Sequence, residues 1–298
     1  MRLIREETVL PAALTSSVAI SELPWTAGTY VTGQQRYVGT DLYEVVADPS
    51  TSDEPTAGAA SPQPELRTWV RIGKINRWRM FSEFIAEQTV APSPIEVDIA
   101  TAPSTNSVAL FGLNASEVEV IAYSGGVETG RVTRSMTNTY EVADWYEYFF
   151  QPIVKIEEGV ILDLPSYGTD RIVVRIINGE ATAAVGKLVI GEQAVIGHTK
   201  LQYGAGFEDY SIKERDDFGG FMITERRFAR RAEFSVLISA VKLAGVIRDL
   251  ANVRAKPTVY IGDPDVPETI VIGFFKDAWA TRQTREWAEM TLEIEGLT

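Results

Sequence analysis

Four aromatic residues near the start of the chain, Trp25, Tyr30, Tyr43 and Trp69, have the type and spacing to hold a sugar. They stand on a frame of Gly28, Gly33 and Gly39, and flat rings on a glycine-rich β-scaffold can stack against the C–H faces of sugar rings. Asp41 and Glu44 lie beside them in sequence, with carboxylates able to accept from sugar hydroxyls. The same rings have a competing use. A module of roughly 50 residues needs its aromatics for its own small core.

Other chemistry is thinner. Glu147 and the pair Asp216 and Asp217 are carboxylates of the kind a glycosidase sets across a cleft, but 41 acidic residues make chance neighbours common. Backbone and carboxylate oxygens of a β-sandwich could hold a structural calcium ion, and no other cofactor is implied. There is no cysteine, which excludes disulfides and thiolate metal sites, and the single histidine, His198, excludes a multi-histidine zinc centre. His198 reads as a strand-end or turn residue. The densest basic group is Arg226, Arg227, Arg230 and Arg231, which suits an assembly interface with acidic partner surfaces, since arginine is favoured at interfaces. Intramolecular pairing is the alternative. No phosphate-binding glycine loop is present.

The elements that must position these residues read as mainly β. Residues 1–24 are expected as an extended N-terminal arm, with Val9, Leu10, Leu14, Val18 and Ile20 strapped onto another subunit or domain. Residues 25–75 form the small aromatic β-module, interrupted by a Pro- and Ser-rich loop from Pro49 to Pro64. Residues 76–196 carry short alternating runs such as Ile95 to Ile99 and Glu117 to Tyr123, which predict an antiparallel, jelly-roll-like β-sandwich. Residues 197–298 predict an α+β module. In it, Thr224 to Ile238 reads as one long strand with Phe228, Ala232, Phe234, Val236 and Ile238 on a shared face. One helix follows over about 240–254, capped by Ser239, with Leu243, Ile247, Leu250 and Val253 inward.

Three resemblances add to this reading. The Trp25 to Tyr43 spacing, closed by Trp69, resembles a chitin-binding type-3 carbohydrate module, although Gly33 is followed by Gln34 where such modules often have aspartate. The order of runs from Asn106 to Ile190 resembles a galactose-binding-like jelly roll. Six phrases also resemble a family of tailed-bacteriophage tail or tail-tip structural proteins. They are Gly73 to Phe81, Asp144 to Phe150, Tyr210 to Gly219, Arg227 to Arg231, Gly273 to Asp277 and Glu293 to Leu297. That resemblance implies a non-enzymatic virion component near the end of a tail or in a baseplate. Its partners would be other tail proteins, itself in a symmetric assembly, and host-surface glycans. A free-standing glycan-binding protein, accessory to a hydrolase, is the competing reading.

Composition narrows the field further. A length of 298 residues gives room for about two or three cores. Lys and Arg number 28 against 41 Asp and Glu, a net charge of −13, which disfavours sequence-independent nucleic-acid binding and charge-driven membrane docking. No run approaches the roughly 20 apolar residues of a membrane span, and no secretory leader is evident. The expectation is a protein made in the host cytoplasm and carried in a virion tail.

Overall fold

The computed structural model describes every residue except 138–144, 151–154, 166–167, 216–219 and 298. Its spine is a nine-stranded antiparallel sheet. In spatial order the strands are Gly159–Ile161, Ser107–Phe111, Lys187–Val195, Arg2–Glu6, Thr258–Ile261, Ile270–Arg282, Trp287–Gly296, Phe228–Ser239 and His198–Asp209. A five-stranded antiparallel sheet lies against its first half, in the order Val127–Ser135, Glu117–Ser124, Arg171–Ile177, Ile95–Ala100 and Leu14–Ser16.

Alternation explains why these two sheets form a sandwich. Ile95, Val97 and Ile99 face inward with Val118, Val120, Ile172, Val174 and Ile176. From the opposite sheet Val108, Leu110, Leu188 and Ile190 meet them, giving one dry layer between two inner faces. Acidic and basic partners of the same strands stay on the wet side, where Arg175 Nε donates to Glu96 at 2.7 Å.

The second half of the large sheet packs on the amphipathic helix Leu243–Val253, whose Val246, Leu250 and Val253 are buried against Phe234, Tyr260, Met290 and Leu292. The helix begins later than its sequence suggests. Lys242 occupies the cap position without a side-chain bond, and Ser239 offers only its carbonyl, to the Lys242 N–H. Starting at Leu243 turns Val246 inward and leaves Ile247 outside. Two shorter α-helices, Pro55–Ala59 and Trp145–Phe150, and four short 3-10 turns complete the described helical set, and none of the described helices is long and apolar enough to cross a membrane.

Two expectations about layout are revised. The segment 1–24 is in part a strand of the large sheet, while Val9, Leu14 and Val18 pack on the sandwich. Arg2–Glu6 lies in the middle of the nine-stranded sheet, between Lys187–Val195 and Thr258–Ile261, because Leu3 and Ile4 each supply an apolar side chain to opposite, buried faces. Leu14–Ser16 pairs with Ile95–Ala100, and Val18 enters the sandwich core. The sheet also runs straight through the boundary expected near 196, so the sandwich and the α+β part share one ladder of hydrogen bonds. The long strand expected over Thr224 to Ile238 starts instead at Phe228, and Thr224 ends the separate strand Phe221–Thr224.

The small module comprises a three-stranded sheet, Gln35–Val38, Asp41–Val45 and Trp69–Lys74, with a two-stranded ribbon of Tyr30–Val31 and Ser50–Thr51. It joins the rest through a second cluster of Leu42, Ile75 and Trp78, against which Val9, Leu14 and Phe81 pack.

Candidate assembly surface

The structure brings the four candidate sugar-binding aromatics together, but as a core. Trp69 is 0% exposed, its indole N–H donates to the Asp53 carbonyl at 3.0 Å, and Tyr30 meets it edge-on with centroids 5.5 Å apart. The Tyr30 hydroxyl donates to the Thr26 carbonyl at 2.6 Å, and Tyr43 is buried beside Val45, where burial pushes its phenol up. A ring enclosed on both faces cannot stack on a sugar. The sugar platform expected from Trp25, Tyr30, Tyr43 and Trp69 is therefore corrected to at most Trp25, which is half-buried at the edge of this cluster. The physical reason is size: so small a module has few other apolar groups with which to build an interior. Asp41 pairs with Arg71 at 2.9 Å, and Glu44 accepts from Gln35 at 2.8 Å, so both carboxylates serve the module's own sheet.

The four arginines separate. Arg230 pairs with Glu158 at 2.5 Å and Arg231 with Glu293 at 2.5 Å, both within the chain. Arg226 and Arg227 are exposed, and the Arg227 guanidinium lies 5.9 Å from the centre of the Phe84 ring. The interface expected from all four thus reduces to Arg226 and Arg227. Asp216 and Asp217 lie outside the described residues, as does the side chain of Glu147. Among the described residues no group of three or more His, Asp or Glu side chains is placed to hold a metal ion. His198 is exposed and opens the edge strand.

Arg227 and Arg230 border a cavity of about 330 Å³ within the curl of the large sheet, walled by Ile85, Phe111, Ile270, Ile272 and Phe228. Glu158 projects into it with only 11% of its side chain exposed, and burial raises its carboxyl above the usual carboxylate range despite the Arg230 guanidinium.

An exposed apolar surface adjoins this cavity through Phe228. His198–Asp209 is the last strand of the sheet, and it continues through Tyr210 into a second hairpin, Ile212–Arg215 with Phe221–Thr224. Leu201 is 100% exposed and Phe207 72%, while Phe221, Met222, Ile223 and Phe228 are all open to solvent. Phe207 and Phe228 touch edge-on at 5.9 Å on the outside of the molecule. Sequence reasoning missed this hairpin. It missed the edge strand too, whose signal was there as Leu201, Tyr203 and Phe207 at spacings of two and four, diluted by Gly204 and Gly206, which lower strand propensity. Phe228 was expected in the core; it lies outside because Ala229 turns in at that point of the strand.

Compared with protein-family models, with curated proteins and with solved structures, the chain matches none.

Proposed function

We propose that the protein is a non-enzymatic structural component of a tailed-phage virion, at the tail tip or baseplate, assembling with other tail proteins and with itself. The observation that carries assembly is the open edge strand His198–Asp209 with its apolar hairpin extension. A row of unpaired backbone groups flanked by exposed aromatics is a template for another chain. The phage setting is supported by the ordered sequence phrases from Gly73 to Leu297. Contact with host-surface glycans belongs to the same reading and would rest on Trp25, the one ring of the four left partly open.

Immunogold electron microscopy of intact particles, with antibody raised to this chain, is the test. Label at the tail end is the expected result. Label on the head or along the tube removes the tip position. No label, with the chain also missing from the particles' mass spectrum, removes the virion reading altogether.

A further inference from the structure

The geometry of the open edge points to its occupant: we infer that His198–Asp209 pairs antiparallel with the same strand of a second copy, about a two-fold axis at Gly206. The inference deepens the assembly reading and rests on the same edge.

The direction of the free backbone groups comes first. Tyr210 N–H donates to the Arg227 carbonyl at 3.3 Å, in line with the register that sets Tyr203–Asp209 opposite Phe234–Phe228. Hydrogen-bonded and non-bonded pairs alternate along an antiparallel ladder. Gly204, Gly206 and Glu208 therefore bond inward to their neighbour strand. The N–H and C=O groups of Tyr203, Ala205, Phe207 and Asp209 point to the open side. The stretch from Tyr203 to Phe207 holds no charge and no proline, and all five residues are exposed.

The other described edges of the nine- and five-stranded sheets are short or charged. Gly159–Ile161, at the far end of the same sheet, is three residues long and buried, and its Val160 carbonyl is taken by Arg134 at 2.7 Å. The long edge of the smaller sheet, Val127–Ser135, carries Glu128, Arg131 and Arg134, with Arg131 bridging Glu119 and Glu128. Short strands and charges are how edges are kept from pairing. Among the described edges of these two sheets, Tyr203–Phe207 is the exposed stretch without charge, and a copy of the same strand offers it the same row of free groups in return, in an isologous contact.

Register then selects the axis. Outward-facing residues must pair with outward-facing residues, so the axis passes through a residue. Lys200, Leu201 and Gln202 fall in a register shift between Thr199 and Tyr203 and are out of step with the ladder. Only an axis at Gly206 uses all of the regular stretch and none of the shifted one. It sets Tyr203 opposite Asp209, Gly204 opposite Glu208 and Ala205 opposite Phe207, with no like charges facing. Gly206 faces itself, and a Cβ added there would meet no atom within 4 Å.

The chain has no cysteine, which gives a clean test. Gly206→Cys would bring two thiols face to face in a non-hydrogen-bonded pair, with Cα atoms about 4.5 Å apart, inside disulfide range. The expected result is a dimer of the full chain by light scattering and efficient disulfide dimers of Gly206→Cys under mild oxidation, with Gly204→Cys linking far less. Ala205→Pro removes an outward N–H and leaves the inner ladder intact; it should weaken the dimer at least about tenfold. A monomeric wild-type chain, a dimer untouched by Ala205→Pro, or equal cross-linking at both glycine positions would overturn the inference. Particle labelling with no dimer would leave the virion reading standing, and a dimer absent from particles would do the reverse.

Discussion

Arg230 and Glu158 meet at 2.5 Å although they belong near opposite ends of the nine-stranded order, Arg230 on the eighth strand and Glu158 immediately before the first. The sheet must curl for them to touch, and the cavity of about 330 Å³ is the space left inside that curl. Ile4, Ala109, Val189, Val259 and Ile272 fill the rest of the concave face.

The pair sets a pH dependence of known sign. Burial is the larger influence on Glu158 and outweighs Arg230, so its folded value lies above the reference 4.5. Between that reference and the raised folded value the native state binds more proton than the unfolded chain, and stability falls as pH rises. The contribution is fully present below the unfolded value and lost as pH climbs through the folded one. Glu158→Gln should flatten this segment of a urea-denaturation series from pH 4 to 8, measured as the difference from wild type. Arg230→Ala leaves a buried carboxylate without its partner and should cost about 2 kcal/mol at neutral pH, with Glu158→Gln recovering part of the loss. A single-variant difference that is flat across the range would refute the assignment.

Trp69 carries the second prediction. It is the largest fully buried side chain in the molecule's described residues, and it holds Tyr30 and the Asp53 carbonyl. Trp69→Ala should cost about 3–5 kcal/mol within the module. Hydrogen exchange should show lost protection over residues 30–74, while amides of Arg2–Glu6 and Thr258–Ile261 stay protected. Trp25→Ala, at the half-buried edge, should leave that protection nearly intact. If the large sheet loosens together with the module under Trp69→Ala, the module is not a separate cooperative unit.

Much of the fold was legible because it depends on period. The alternation of Ile95 to Ile99 and Glu117 to Tyr123 marks sandwich strands, and the helix at Leu243–Val253 follows from its 3.6-residue repeat. The role of Leu3 and Ile4 was not legible, since two adjacent apolar residues look alike whether they strap a surface or cross the centre of a sheet. The aromatic module shows the same limit at the site. Trp69 as platform and Trp69 as core share one spacing, and only the enclosing neighbours Tyr30, Tyr43 and Val45 separate them. Likewise Arg230 and Arg231 resemble Arg226 and Arg227 in sequence, and their distinction comes from Glu158 and Glu293, which approach from distant strands.

Two glycines of the large sheet should respond unequally to the same change. Gly191 lies in Lys187–Val195, paired with Glu6 on one side and Ser107 on the other. A Cβ there would stand 1.8 Å from the Arg5 carbonyl oxygen, and that atom is backbone, fixed by the ladder around it. The strands would have to part for an alanine to enter. Gly191→Ala should cost about 2–3 kcal/mol, in the range of overpacked interiors. Gly206, on the open edge, has nothing within 4 Å of the same added atom, and Gly206→Ala should lie within about 0.5 kcal/mol of wild type. Urea melts of the two variants, read at the same protein concentration and below any dimer threshold, provide the comparison. Equal losses would mean that the central strand tolerates separation as easily as the edge, and the close approach of Arg5 to Gly191 would no longer account for the glycine.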